Sequence, residues 1–149
     1  MQKNNKNLIS IICFVLCALI TFSTAFAHLS CLYFGPTCYS AQMAPPIIVE
    51  SAKTGTLIAP LGNLIVSGIF ISWGLLALSV SGLFRDIPYA RHVCALIAFL
   101  CVIRGLLPIQ LWLRKPENID AISVIVGFVW LLTGLLYAVG LLLNKHSQK

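Results

Sequence analysis

A chain of 149 residues that is 59% hydrophobic, only 9% charged and of mean hydropathy +0.95 lies outside the range of soluble globular domains, where about 25% of residues are charged. Its length suits a single unit, so residues 1–149 are read as one transmembrane domain. The formal charge of +6 does not point to nucleic acid, because the basic residues stand singly at the flanks of apolar segments and no Lys/Arg cluster interleaves with aromatics.

Four apolar segments follow one another, at residues 8–27, 57–83, 93–113 and 119–143. Each is near or above the roughly 20 residues that cross a bilayer as a helix. Inside hydrocarbon such segments are helical because every backbone N–H and C=O needs a partner within its own segment. Ahead of the first stand Lys3 and Lys6, and Ala25-Phe26-Ala27 closes it. That order also fits a cleavable signal peptide, which would leave a chain beginning at His28. The apolar stretch is as long as a true span, and Ala18, Ser23 and Ala25 suit helix packing, so an uncleaved first helix is expected.

The connection from His28 to Thr56 carries Pro36, Pro45 and Pro46, two glycines and the apolar run Ile47-Ile48-Val49. Proline and glycine oppose one continuous helix. A short amphipathic or partly re-entrant element at the outer membrane interface is therefore expected. Cys31 and Cys38 bracket the turn-forming LYFGPT on the oxidising side, which suits a disulfide. Cys13, Cys17, Cys94 and Cys101 read as small apolar side chains within spans. The small-xxx-small pairs Gly68/Ser72 and Ser123/Gly127, with Gly134 one heptad beyond, predict close helix packing. Tyr33, Tyr39, Tyr89 and Trp112 suit an interfacial aromatic belt, while Trp73, Trp130 and Tyr137 belong deeper.

Orientation follows from the cations in short loops. With the N-terminus inside, Lys3, Lys6, Arg85, Arg91, Lys145 and Lys149 face the cytoplasm, and Lys53, Arg114 and Lys115 face outward. The excess on the inner side predicts that both termini are cytoplasmic. Spans two and three, and spans three and four, are each joined by a short loop and are expected to be antiparallel neighbours.

Arg104 lies within the otherwise uncharged third span. Counted from Val93, it sits about 16 Å along the helix, slightly beyond the midplane toward the outer half. A guanidinium keeps its proton, so at that depth it needs an acid, a wet cavity or the interface. Pro108 follows and frees one backbone carbonyl as a further acceptor. The residues expected around it are Glu50, the only acid in the long outer segment, with His28 and Asn63. A structural ion pair, or snorkelling to the interface, is the alternative.

Other chemistry finds little support. His28 and Cys31 are close in sequence, but His92 and His146 map to the opposite side, so no metal site is expected. The chain shows no nucleophile elbow, phosphate loop, paired carboxylates or Cys-x-x-Cys, so an enzyme is disfavoured.

The strings HLSCLYFGPTCY, MAPPIIVESAKTGT and VIRGLLPIQLWL resemble those of small uncharacterised inner-membrane proteins of Gram-negative bacteria. More distantly, four short spans with a polar corner after the first are similar to the DoxX-like superfamily, some members of which are linked to quinone or sulfur redox systems. The resemblance implies fold and location, and brings no activity with it.

The expected fold class is all-α: an integral membrane four-helix bundle with a partly ordered or re-entrant outer loop between helices 1 and 2. The expected function is binding of an amphipathic or anionic ligand, a lipid or quinone headgroup, at an outward-facing site formed by Arg104, Glu50, His28 and Asn63. No cofactor is expected, with a quinone as the one exception. The runner-up is a non-catalytic accessory subunit whose Arg104 pairs with an acid on a membrane protein partner or a second copy; a membrane redox enzyme ranks last.

Overall fold

The computed structural model describes residues 2–115, 117 and 120–144, apart from the side chains of residues 2–4 and 6. Ile119, Lys145, His146 and Lys149 lie outside the described residues, as do the side chains of Lys3 and Lys6. The described elements are all helical: α1 (Gln2–Phe34), α2 (Pro36–Ala41), α3 (Pro46–Thr54), α4 (Ile58–Ser81), α5 (Ala90–Arg114) and α6 (Ala121–Leu143). Asn7–Phe34 of α1, together with α4, α5 and α6, are long and apolar enough to cross a membrane. The protein is an all-α, multi-pass membrane protein of the four-helix class.

The first long helix outruns its apolar segment. It passes through His28 and stops where Gly35 takes a φ of +70°, a backbone state open to glycine without steric cost. The expected irregular connection is ordered instead into two short helices. Pro36 and Pro46 each open one of them, where the missing N–H costs nothing. Gly55, left-handed at φ 71°, closes α3 with its N–H on the Ser51 carbonyl.

The chain divides into two compact units, Met1–Ala18 with Leu75–Lys149, and Leu19–Gly74. In the first, α5 and α6 pack backbone to backbone. A Cβ on Gly105 would stand 2.5 Å from the Leu131 amide nitrogen and 2.7 Å from the Gly127 carbonyl oxygen. One on Gly134 would stand 2.9 Å from the Ala98 carbonyl oxygen. Lipid is as apolar as leucine, so this close approach is what drives association. The start of α1 lies along α6 through Ser10 Oγ, which donates to the Gly140 carbonyl at 2.9 Å, and through Phe14, edge-on to Tyr137 at 6.2 Å. Cys13, Cys17, Cys94 and Cys101 are free thiols and buried.

In the second unit, Cys31, Tyr39 and Ala59 form a core against which Cys38, Ala44, Ile48, Val49 and Ala52 pack. Two expectations are corrected here. Gly68 and Ser72 are exposed, nothing among the described residues lies within 4 Å of where a Gly68 Cβ would be, and Ser72 Oγ simply bonds the Gly68 carbonyl one turn back. Among the described residues of this unit they form no packing seam. Tyr39 is not a belt residue: it is only 6% exposed, because α2 folds its ring into this core. Tyr33, Tyr89 and Trp112 are exposed, whereas Trp130 and Tyr137 are buried.

Candidate functional site

Arg104 belongs to the first unit and projects from α5 as an exposed side chain. At about 1.5 Å per residue it stands roughly 21 Å along the axis from Ala90 and roughly 15 Å from Arg114, so it is well inside the span. Leu100, Leu107 and Leu111, on the same face at i−4, i+3 and i+7, are exposed as well. Among the described residues, the guanidinium has neither a hydrogen bond nor an ion pair. Pro108 lies inside the helix. Having no N–H, it leaves the carbonyl of Arg104 itself without its i+4 donor. A full cation and an open acceptor therefore share one turn of an apolar helix. The next residue, Gly105, fixes the orientation: because its side of α5 is pressed on α6, Arg104 falls on the flank of that pair.

The other three residues expected at the site lie in the second unit. His28 and Asn63 come together there, but through the His28 main chain: Asn63 Nδ2 donates to the His28 carbonyl at 2.7 Å and to the Tyr39 hydroxyl at 3.2 Å. Ser67 Oγ donates to Asn63 Oδ1 at 3.4 Å. Asn63 is thus buried and satisfied on both ends of its amide, which is the behaviour of a polar pin holding α1, α2 and α4 in register. The imidazole of His28 stacks on Phe70 with ring centroids 5.5 Å apart. Glu50 pairs with Lys53 across one turn of α3 at 3.6 Å, both side chains well exposed. An exposed pair of this kind contributes about 0–1 kcal/mol.

Cys31 and Cys38 are joined in a disulfide, their Cα atoms 5.1 Å apart. The bond spans the Gly35-Pro36 corner and ties the end of α1 to α2. Gln42 Nε2 adds a bond to the Ala27 carbonyl at 2.6 Å, and Ser51 Oγ receives the Ala59 N–H at 2.9 Å, capping the start of α4. The polar groups of this unit largely answer one another.

The first unit also holds a cavity of about 600 Å³, within the range of ligand-binding sites. Its wall joins the start of α1, the ends of α4 and α6, and the connector before α5, with Asn7, Ser79, Asp86, Arg91, His92 and Asn144 among its polar residues. Sequence reasoning centred on the third span passed over these groups. The signal was present in the pattern: each stands at the end of an apolar segment, and the alternation of spans puts all of those ends on one side. Neither Arg104 nor Glu50, His28 or Asn63 lines this cavity. Among the described residues no group of three metal-ligating side chains occurs. No protein family, curated protein or solved structure matches the chain.

Proposed function

We propose that the chain is a small protein of a bacterial inner membrane, both termini cytoplasmic, that binds an amphipathic or anionic ligand, a lipid or quinone headgroup, through Arg104. The observation that carries this reading is an exposed guanidinium, deep in an apolar span, with no counter-group among the described residues. On insertion scales a cation near the middle of a spanning helix costs about 2.5–3.5 kcal/mol. A headgroup drawn toward the α5 flank would offset that cost, with the Arg104 carbonyl freed by Pro108 as an acceptor for a hydroxyl or water. Asn63 and Glu50 already have partners of their own, so the proposal rests on Arg104. The distant DoxX-like resemblance fits a quinone headgroup as one such ligand.

The test is native mass spectrometry of the full chain released from membranes in mild detergent. Wild-type protein is expected to retain an anionic lipid or a quinone, Arg104→Lys to retain less, and Arg104→Leu to lose it. Equal retention by Arg104→Leu refutes the reading. Because the same exposed guanidinium also suits a carboxylate on another protein, crosslinking in membranes is the second arm: a partner captured by wild type and lost in Arg104→Leu would establish the accessory-subunit alternative.

A further inference from the structure

The cavity of the first unit is held open by its own wall. Asn144 Nδ2 donates to the Val80 carbonyl at 2.8 Å, tying the end of α6 to the end of α4. Arg91 Nη2 donates to the Leu141 carbonyl at 2.7 Å, tying the start of α5 to α6. Ser79 Oγ receives the Ile87 N–H at 2.9 Å and so fixes the connector over the opening. These bonds tie together the helix ends and the connector that wall the cavity.

What remains unused is of two kinds. Asn7 Oδ1 is a buried acceptor without a hydrogen-bond partner among the described residues, and native proteins rarely leave such an atom orphaned. Asp86 has no ion pair among the described residues and offers two more acceptor oxygens. Against these stands Arg91, which spends one nitrogen on Leu141 while a guanidinium carries five N–H donors in all. Acceptors that call for N–H groups thus share one cavity with a cation that calls for an anion. Next in sequence to lining residues come exposed apolar ones: Leu8 follows Asn7, and Leu83 and Phe84 follow Gly82. They have nothing to offer a wholly polar solute and suit acyl chains.

We infer that this cavity binds the zwitterionic headgroup of an aminophospholipid, its primary ammonium received by Asn7 Oδ1 and Asp86 and its phosphate by Arg91, with the acyl chains leaving past Leu8, Leu83 and Phe84. The site is independent of Arg104. Such a site discriminates sharply between headgroups, because a primary ammonium donates hydrogen bonds to Asn7 and Asp86 and a trimethylammonium has none to donate.

The test uses the full chain in an uncharged detergent, titrated with short-chain phosphatidylethanolamine, phosphatidylcholine and phosphatidylglycerol, with bound ligand counted by native mass spectrometry. Phosphatidylethanolamine is expected to bind about tenfold or more tighter than phosphatidylcholine, the difference that a hydrogen bond to a charged group supports. Asn7→Leu is expected to lose that preference while melting at or above the wild-type temperature, because it removes an unsatisfied buried acceptor. Asn7→Asp, which keeps the acceptor, retains the preference. A residue that merely held the fold would lower both readings together. Glycerophosphoethanolamine distinguishes the sources: weak competition by it supports the lipid, and competition equal to the lipid supports the same headgroup chemistry on a soluble ester. Equal binding of the ethanolamine and choline lipids, preference for phosphatidylglycerol, or an Asn7→Leu variant that binds as wild type does overturns the inference.

Discussion

Gly105→Ala isolates the contact that joins α5 to α6. The added methyl would lie 2.5 Å from a backbone nitrogen and 2.7 Å from both a backbone oxygen and the Leu131 Cβ. Two of these three atoms belong to the main chain of α6, so no rotamer change relieves the clash. The helices must part by the better part of an ångström, and overpacking of this kind costs about 1–3 kcal/mol. Replacing a mid-helix glycine also gains about 0.5–1 kcal/mol in helix propensity, which would mask part of the loss. Gly68→Ala is the internal control. It sits mid-helix in α4 with open space around its would-be Cβ, gains the same propensity and meets nothing. The difference between the two variants therefore reports the packing cost with the propensity removed. Reversible unfolding in mixed micelles, followed by circular dichroism, is expected to place Gly105→Ala about 1–3 kcal/mol below Gly68→Ala. Equal stability of the two would refute backbone-to-backbone packing at Gly105.

Two further outcomes concern the second unit. Asn63→Leu removes the donor to the His28 carbonyl and the Tyr39 hydroxyl and the acceptor of the Ser67 hydroxyl, and is expected to cost about 1–3 kcal/mol in the same unfolding assay; a neutral result would mean that the amide pin contributes nothing. Non-reducing peptide mapping is expected to recover residues 31 and 38 in one crosslinked fragment. Cys38→Ser should then cost roughly 2–3 kcal/mol from loop closure across so short a segment, and two free thiols in wild-type protein would contradict the pairing.

The parts of this molecule legible in the sequence are those where one physical pressure acts alone. Span number and helicity follow from apolar length, because hydrocarbon leaves the backbone no other arrangement. Gly127 and Gly134 could be placed at a helix contact because a missing side chain has few other uses in a membrane helix. The same logic misplaced Gly68 and Ser72, which share the spacing but find no helix opposite; the pattern encodes the capacity to pack and says nothing of whether a partner is there. Glu50 and Asn63 show the limit from another side. Their polarity was visible, yet their partners, Lys53 one turn away and the Tyr39 hydroxyl on α2, depend on how the segment after Phe34 turns. That path is set by Gly35 and the disulfide together, so propensity alone could not draw it.

Polar bookkeeping within each unit bears on where function resides. In Leu19–Gly74, buried polar side chains close on one another: Ser67 to Asn63, Asn63 to Tyr39 and His28, Ser51 to Thr56 and to the Ala59 N–H. Such a network rigidifies, and a disulfide at its edge adds to that rigidity. In the other unit the hydrogen bonds instead secure carbonyls at helix ends, through Ser10, Arg91 and Asn144, and leave Asn7 Oδ1 and the Arg104 guanidinium without a partner among the described residues. Natural sequences tolerate local violations of polar satisfaction chiefly where function requires them. Selection for stability alone would have replaced Asn7 or Arg104 with an apolar residue at little cost. The two proposed sites can be separated on this logic, since Arg104→Leu and Asn7→Leu each remove a destabilising group but should abolish retention of different ligands. Loss of both ligands on either substitution would show one shared site and contradict the assignment of two.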